Sequence, residues 1–234
     1  MATMRTAIVS AWIVLFAAPL ALFIGHLGAD NLSWTRNGIS TYAVAAPHAN
    51  WVSAGILLAG LSIACLGVGV SLNTRLRISI LGQIASMCCG AAAAGLLMLC
   101  RFQETANNIE ALKRMEFAAI RQQTFHDAGL LLFVSSAVLA LMISGLIAMA
   151  RSTSWGSRLL AAVVFVSGPI ACAIVISFAQ GPAAFLGAAP GLKQRVAFFC
   201  LWVGALCLMV LLTKAATQSA NRPSDFNGQR PLPS

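Results

Sequence analysis

HDAGLLLFVSSAVLALMISGLIAMA, residues 126–150, carries no charge between Asp127 and Arg151. A helix of that length, rising ~1.5 Å per residue, covers the ~30 Å of hydrocarbon in a bilayer. Five more runs of the same kind lie at 7–27, 50–72, 77–100, 157–179 and 196–213. They are continuous rather than alternating, which reads as helix and not as strand. In lipid each backbone amide must be paired within its own segment, which a helix does. The expected fold is therefore all-α: a polytopic membrane bundle of six transmembrane helices over residues 1–214. A tail at 215–234, rich in Ser, Asn, Gln, Pro and Gly, follows as a disordered segment.

Composition points the same way. Of 234 residues, 59% are hydrophobic and 9% charged, against about 25% charged in soluble domains. The net charge of +9 does not argue for nucleic acid, because the cations sit at helix ends. Their distribution orients the chain. With the N-terminus inside, the inner segments hold Arg5, Arg75, Arg77, Arg151, Arg158, Lys214, Arg222 and Arg230 against Asp225, or 8 − 1 = +7. The outer segments hold seven cations against five acids, or 7 − 5 = +2. Both termini are expected in the cytoplasm. The first run is too long for a signal-peptide core of ~7–15 residues and lacks a small-residue cleavage site, so it reads as a retained helix. The seven cysteines form no CxxC pair and lie mostly inside spans, as small packing residues do.

The loops are unequal. Inner connections at 73–76 and 151–156 are short; outer ones at 28–49, 101–125 and 180–195 are long. A functional site is expected on the outer face. The 101–125 segment has helical spacing, which predicts a short interfacial helix or an outward extension of the fourth span. Gly60 and Gly67 on the second run, with Gly90 and Gly95 on the third, predict close packing of those two helices. Pro19 and Pro169 predict kinks.

Polar residues collect where the runs meet the outer face: His26 and Asp30, then Ser33, Arg36, Ser40, Tyr42 and His48, then Arg101, Glu104, His126, Asp127, Gln194 and Arg195. Ionisable groups at a membrane boundary are costly unless paired, so they mark candidate sites. Ser40, Tyr42, Arg101, Glu104, His126, Asp127 and Arg195 are the candidate lipid- or ligand-binding set. His126 and Arg195 are expected in one cluster roofed by the loop around Ser40 and Tyr42, with a carboxylate or a lipid phosphate on the arginine. Lys193 and Arg195 also fit an interfacial snorkelling pair. Asp127 suits the first turn of a helix, and His126 suits either a hydrogen bond to a loop carbonyl or a general base. The histidine gaps of 22 and 78 residues have no metal-ligand spacing. No cofactor is implied.

Three short motifs fall in order: Ile39-Ser40-Thr41-Tyr42-Ala43, Phe125-His126-Asp127-Ala128-Gly129, and Gly191-Leu192-Lys193-Gln194-Arg195 followed by Trp202. Together they resemble the DUF998 family of bacterial six-helix membrane proteins, which is distantly similar to the Frag1/DRAM/Sfk1 group. The resemblance spans about residues 7–213 and implies a six-helix fold in a bacterial inner membrane. It places His126 and Arg195 at the family's fourth-helix His and sixth-helix Arg. The chain departs from the family pattern at Arg101-Phe102-Gln103-Glu104, which lacks the proline after helix three. The resemblance implies no activity. The residues are read first as a non-catalytic protein that binds lipid at its outer face, or that serves as an accessory subunit with other membrane subunits or itself. The alternatives are an intramembrane lipid hydrolase using His126, with Asp127 and Ser40, and a small-solute transporter. The last is disfavoured by the scarcity of charge near the midplane.

Overall fold

The structure, a computed structural model, describes residues 2–72, 79–102, 114, 116–179 and 189–220. Six helices in it are long and apolar enough to span a bilayer. In chain order the elements are α1 (Ala2–His26), α2 (Ile39–Ala45), α3 (Ala49–Leu72), α4 (Ile80–Arg101), α5 (Phe117–Arg151), α6 (Trp155–Ala179) and α7 (Pro190–Ala220). All but the short α2 are spans. The chain is an integral membrane helix bundle.

Each span packs most densely on its neighbours in sequence: α1 on α3, α3 on α4, α4 on α5, α5 on α6, α6 on α7. The first and last spans touch more lightly, and their seam closes the ring. Short turns favour this arrangement. The α5–α6 connection is residues 152–154, closed by Arg158 Nε donating to the Ser152 carbonyl at 3.0 Å. Ser79 caps α4 by accepting from Gly82 N–H at 3.1 Å.

The interior is distinguished from the lipid face by size more than by polarity. On α1, Ile8, Ala11, Leu15, Ala18 and Ala21 are buried, while Val9, Ile13, Phe16, Leu20 and Phe23 point outward. Small residues inside allow backbones to approach, and lipid tails solvate the large ones outside. One close approach is the crossing of α4 and α5. A Cβ at Gly95 would lie 2.5 Å from the Phe133 nitrogen and 2.6 Å from the Gly129 carbonyl oxygen. One at Gly129 would lie 2.9 Å from Met98 Cβ and 3.0 Å from the Gly95 carbonyl.

Several expectations are refined. Gly67 does pack on α4, where a Cβ would meet Cys89 Cβ at 2.8 Å. Gly95 faces α5 rather than α3, and Gly90 is exposed with nothing within 4 Å of a Cβ. The difference is one of phase, since five residues on a helix of 3.6 per turn do not return to the same face. The fourth span extends outward to Phe117, well before residue 126. A helix, α2, occupies the expected loop around Ser40 and Tyr42. The expected tail boundary at 214 falls inside α7, and residues 221–234 lie outside the described ones. So do residues 103–113, which hold most of the predicted amphipathic segment.

Gly95→Leu is expected to lower the melting temperature of the detergent-solubilised protein sharply, overpacking typically costing ~1–3 kcal/mol or more. Gly90→Leu is expected to leave it unchanged. A reversed order in a thermal-shift series would place Gly90, not Gly95, at a helix crossing.

Candidate functional site

The site is built at the end of the bundle where α1 finishes, α2 lies across the top and α7 begins. Pro190 is the first residue of α7, a position where its missing N–H costs nothing. The next N–H groups have no partner within the helix. Leu192 N–H donates instead to the Thr35 carbonyl at 3.0 Å. Gln194 Oε1 accepts from Ile39 N–H at 2.7 Å, which fixes the start of α2. The segment 33–38 is thereby docked onto the first turn of α7. Gly191 has to be glycine here, because a Cβ would collide with the Asn37 carbonyl.

Arg195 organises what lies beneath. Its Nη1 donates to the Asn37 carbonyl at 2.9 Å and to the Gly191 carbonyl at 3.0 Å. Its Nη2 is 2.8 Å from His26 Nε2. His26 Nδ1 faces the Leu22 carbonyl at 2.5 Å. A carbonyl only accepts, so Nδ1 carries the proton and Nε2 offers its lone pair to the arginine. The imidazole is therefore neutral in this arrangement. The guanidinium also lies over two aromatic faces, 5.3 Å from the Trp34 centroid and 5.1 Å from that of Tyr42. Tyr42 is buried, lies tilted against the His26 ring with centroids 4.1 Å apart, and donates its hydroxyl to the Leu32 carbonyl at 3.2 Å.

No carboxylate pairs with Arg195 among the described residues. Asp30 is exposed. Asp127, also exposed, accepts from Gln123 Nε2 at 2.8 Å. Two carbonyls, an imidazole and two ring faces take the place of the expected ion pair. Lys193 does not snorkel either: it is 3% exposed and donates from Nζ to the Ser177 carbonyl at 3.1 Å, in the last turn of α6.

The rest of the predicted set divides. His126 is 6% exposed, and its Nδ1 donates to the carbonyl of Phe102, the residue that caps the end of α4. It shares with Ser40, Gln194 and Phe198 a recess of about 20 Å³, room for little more than one water. Tyr42 and Arg195 are joined in the cluster just described. Arg101 is exposed, 5.8 Å from the Phe102 ring centroid. Glu104 lies outside the described residues.

Below Arg195 runs the main feature, an apolar cavity of about 710 Å³ between α1, α3, α5 and α7. Alanines make the room, among them Ala18, Ala59, Ala137 and Ala205. His26, Trp34 and Arg195 line its polar end. From His26 to Leu15 the cavity follows α1 for eleven residues, or ~16 Å, close to the ~15 Å of one leaflet's hydrocarbon. Phe23 and Phe199 line it from either side of the α1–α7 seam and are also more than half exposed, so the wall there is one side chain thick.

Two further polar contacts hold that seam. Pro19 has no N–H to give the Leu15 carbonyl four residues earlier. Trp202 of α7 supplies one instead, Nε1 donating to that carbonyl at 3.0 Å. Nearer the other end, Trp12 Nε1 donates to Thr213 Oγ1 at 3.1 Å.

The chain matches no protein-family model, no curated protein and no solved structure.

Trp202→Phe keeps the ring but leaves the Leu15 carbonyl without a donor in lipid, and is expected to destabilise the protein by ~1–3 kcal/mol in reversible denaturation. Arg195→Lys cannot reach both carbonyls and His26 with one ammonium. Hydrogen exchange at residues 33–39 is expected to quicken in that variant. Unchanged exchange would show that the segment is held by other contacts.

Proposed function

We propose that this is a non-catalytic membrane protein that binds a lipid or lipid-like amphiphile, its tail in the cavity and its polar end at Arg195. The single observation that carries the reading is an apolar space about one leaflet deep that ends on a half-buried arginine. The space falls within the ~300–1,000 Å³ range common for ligand pockets, which combine apolar walls with a few placed polar groups. The thin wall at Phe23 and Phe199 offers a path from the bilayer. The hydrolase alternative has less behind it: His126 spends Nδ1 on a helix-end carbonyl and shares with Ser40 a recess of about 20 Å³. Service as an accessory subunit is compatible with lipid binding and belongs to the same proposal.

Kinship with DUF998 proteins is likewise proposed on the three motifs. Two of them, around Ile39–Ala43 and Gly191–Arg195, meet in the structure through Gln194. The cation distribution supports an inner-membrane setting with both termini cytoplasmic, so that the α2 end faces outward. A membrane-impermeant thiol reagent is expected to label a probe cysteine at Ala188 and to miss one at Asn73, in a background lacking the native cysteines. The opposite pattern would invert the protein.

Ala137→Phe and Ala205→Phe place a ring in the cavity. Protein purified in mild detergent is expected to carry bound lipid by native mass spectrometry, and these variants to lose it while still folding. Equal lipid retention in both variants would show that lipid binds elsewhere or not at all.

A further inference from the structure

Resting on the reading that the cavity holds an amphiphile, we infer that the ligand's head is an oxyanion, a carboxylate or a phosphate, gripped by the remaining N–H groups of Arg195. A guanidinium has five N–H donors. Three are directed at Asn37 O, Gly191 O and His26 Nε2, which leaves 5 − 3 = 2: Nε–H and one on Nη2. Nε and Nη2 are neighbouring nitrogens of the planar fork, to which a carboxylate or phosphate can bring two oxygens. Neither has a partner among the described residues.

Among the described residues the charge is uncompensated as well. Arg195 is half-buried, and Asp30 and Asp127 do not pair with it. His26 is held neutral by its own contacts, so the cluster is a net cation. The Trp34 and Tyr42 faces offset part of the charge, but they cannot take up the two N–H groups. A neutral head would leave the cation uncompensated, and a cationic head would be repelled. An oxyanion satisfies both donors and the charge at once, with its alkyl chain directed down the alanine-lined space.

The experiment uses the full chain in maltoside micelles, which carry no charge. Binding of hexadecanoate, hexadecyl phosphate and hexadecanol is followed by tryptophan fluorescence, since Trp34 and Trp202 line the cavity. Both anions are expected to bind about tenfold or more tightly than the alcohol, the scale of a charge-assisted contact. Whichever anion binds tighter names the source, a fatty carboxylate or a phosphate headgroup. Arg195→Gln is expected to reduce the preference to within about twofold. Arg121→Gln, an exposed cation away from the cavity lining, is expected to keep it. Should Arg195→Gln not fold, the ranking on the unaltered protein together with Arg121→Gln decides. Equal binding of alcohol and anions, with loss of both in Ala137→Phe, would overturn the oxyanion assignment and leave the cavity reading standing. Loss of the preference in Arg121→Gln would reduce it to general surface charge. Binding of none of the three would remove the amphiphile reading itself.

Discussion

A backbone carbonyl released by a proline inside a bilayer has no water to turn to. Pro19 creates that situation at Leu15, and the indole of Trp202 resolves it from the opposite side of the ring. The first and last spans are therefore drawn together by a hydrogen-bond requirement rather than by close packing. Trp12 with Thr213 and His26 with Arg195 add contacts of the same kind above and below. The apolar cavity runs along this seam from His26 past the Leu15 carbonyl.

Around that seam the rest of the ring is tight. Gly95 and Gly129 let α4 and α5 meet backbone to backbone, and Gly67 does the same for α3 and α4 on a smaller scale. Bundles in lipid gain little from hiding apolar surface, since the tails outside are equally apolar, so contact distance decides stability. Alanine and glycine consequently serve two purposes in one molecule. Where they face a neighbouring backbone they close a gap, and where several face one another across the ring they open one.

The spans were legible because length and lack of charge are one-dimensional properties. Rotation of each helix was not. With large apolar side chains outward and small ones inward, neither face of α1 is polar, and no periodicity of polarity tells which side of Gly90 or Gly95 meets a neighbour. For that reason the letters alone do not turn Gly90 outward or set Gly95 against α5 rather than α3. At the site, Tyr42 and Arg195 were readable as boundary residues of unusual chemistry. What they would bond to was not, because a carbonyl acceptor such as Asn37 O leaves no mark on the residue letters. His26 was visible as a polar residue closing a run. Its pairing across 169 positions to Arg195, and the service Trp202 gives Pro19, depend on how the ring closes. A proline in one span and a tryptophan in another is a signal readable only once the two spans are known to touch.

The three seam contacts join residues 169, 187 and 201 positions apart. In a chain inserted from its amino end, α1 enters the bilayer long before α7 exists. Until then the Leu15 carbonyl lacks its Trp202 donor and His26 Nε2 its arginine, and the cavity has one wall missing. Arrival of the final span completes the hydrogen bonds, the wall and the cationic mouth in a single event. The cavity and its cationic end are therefore properties of the finished chain, acquired last.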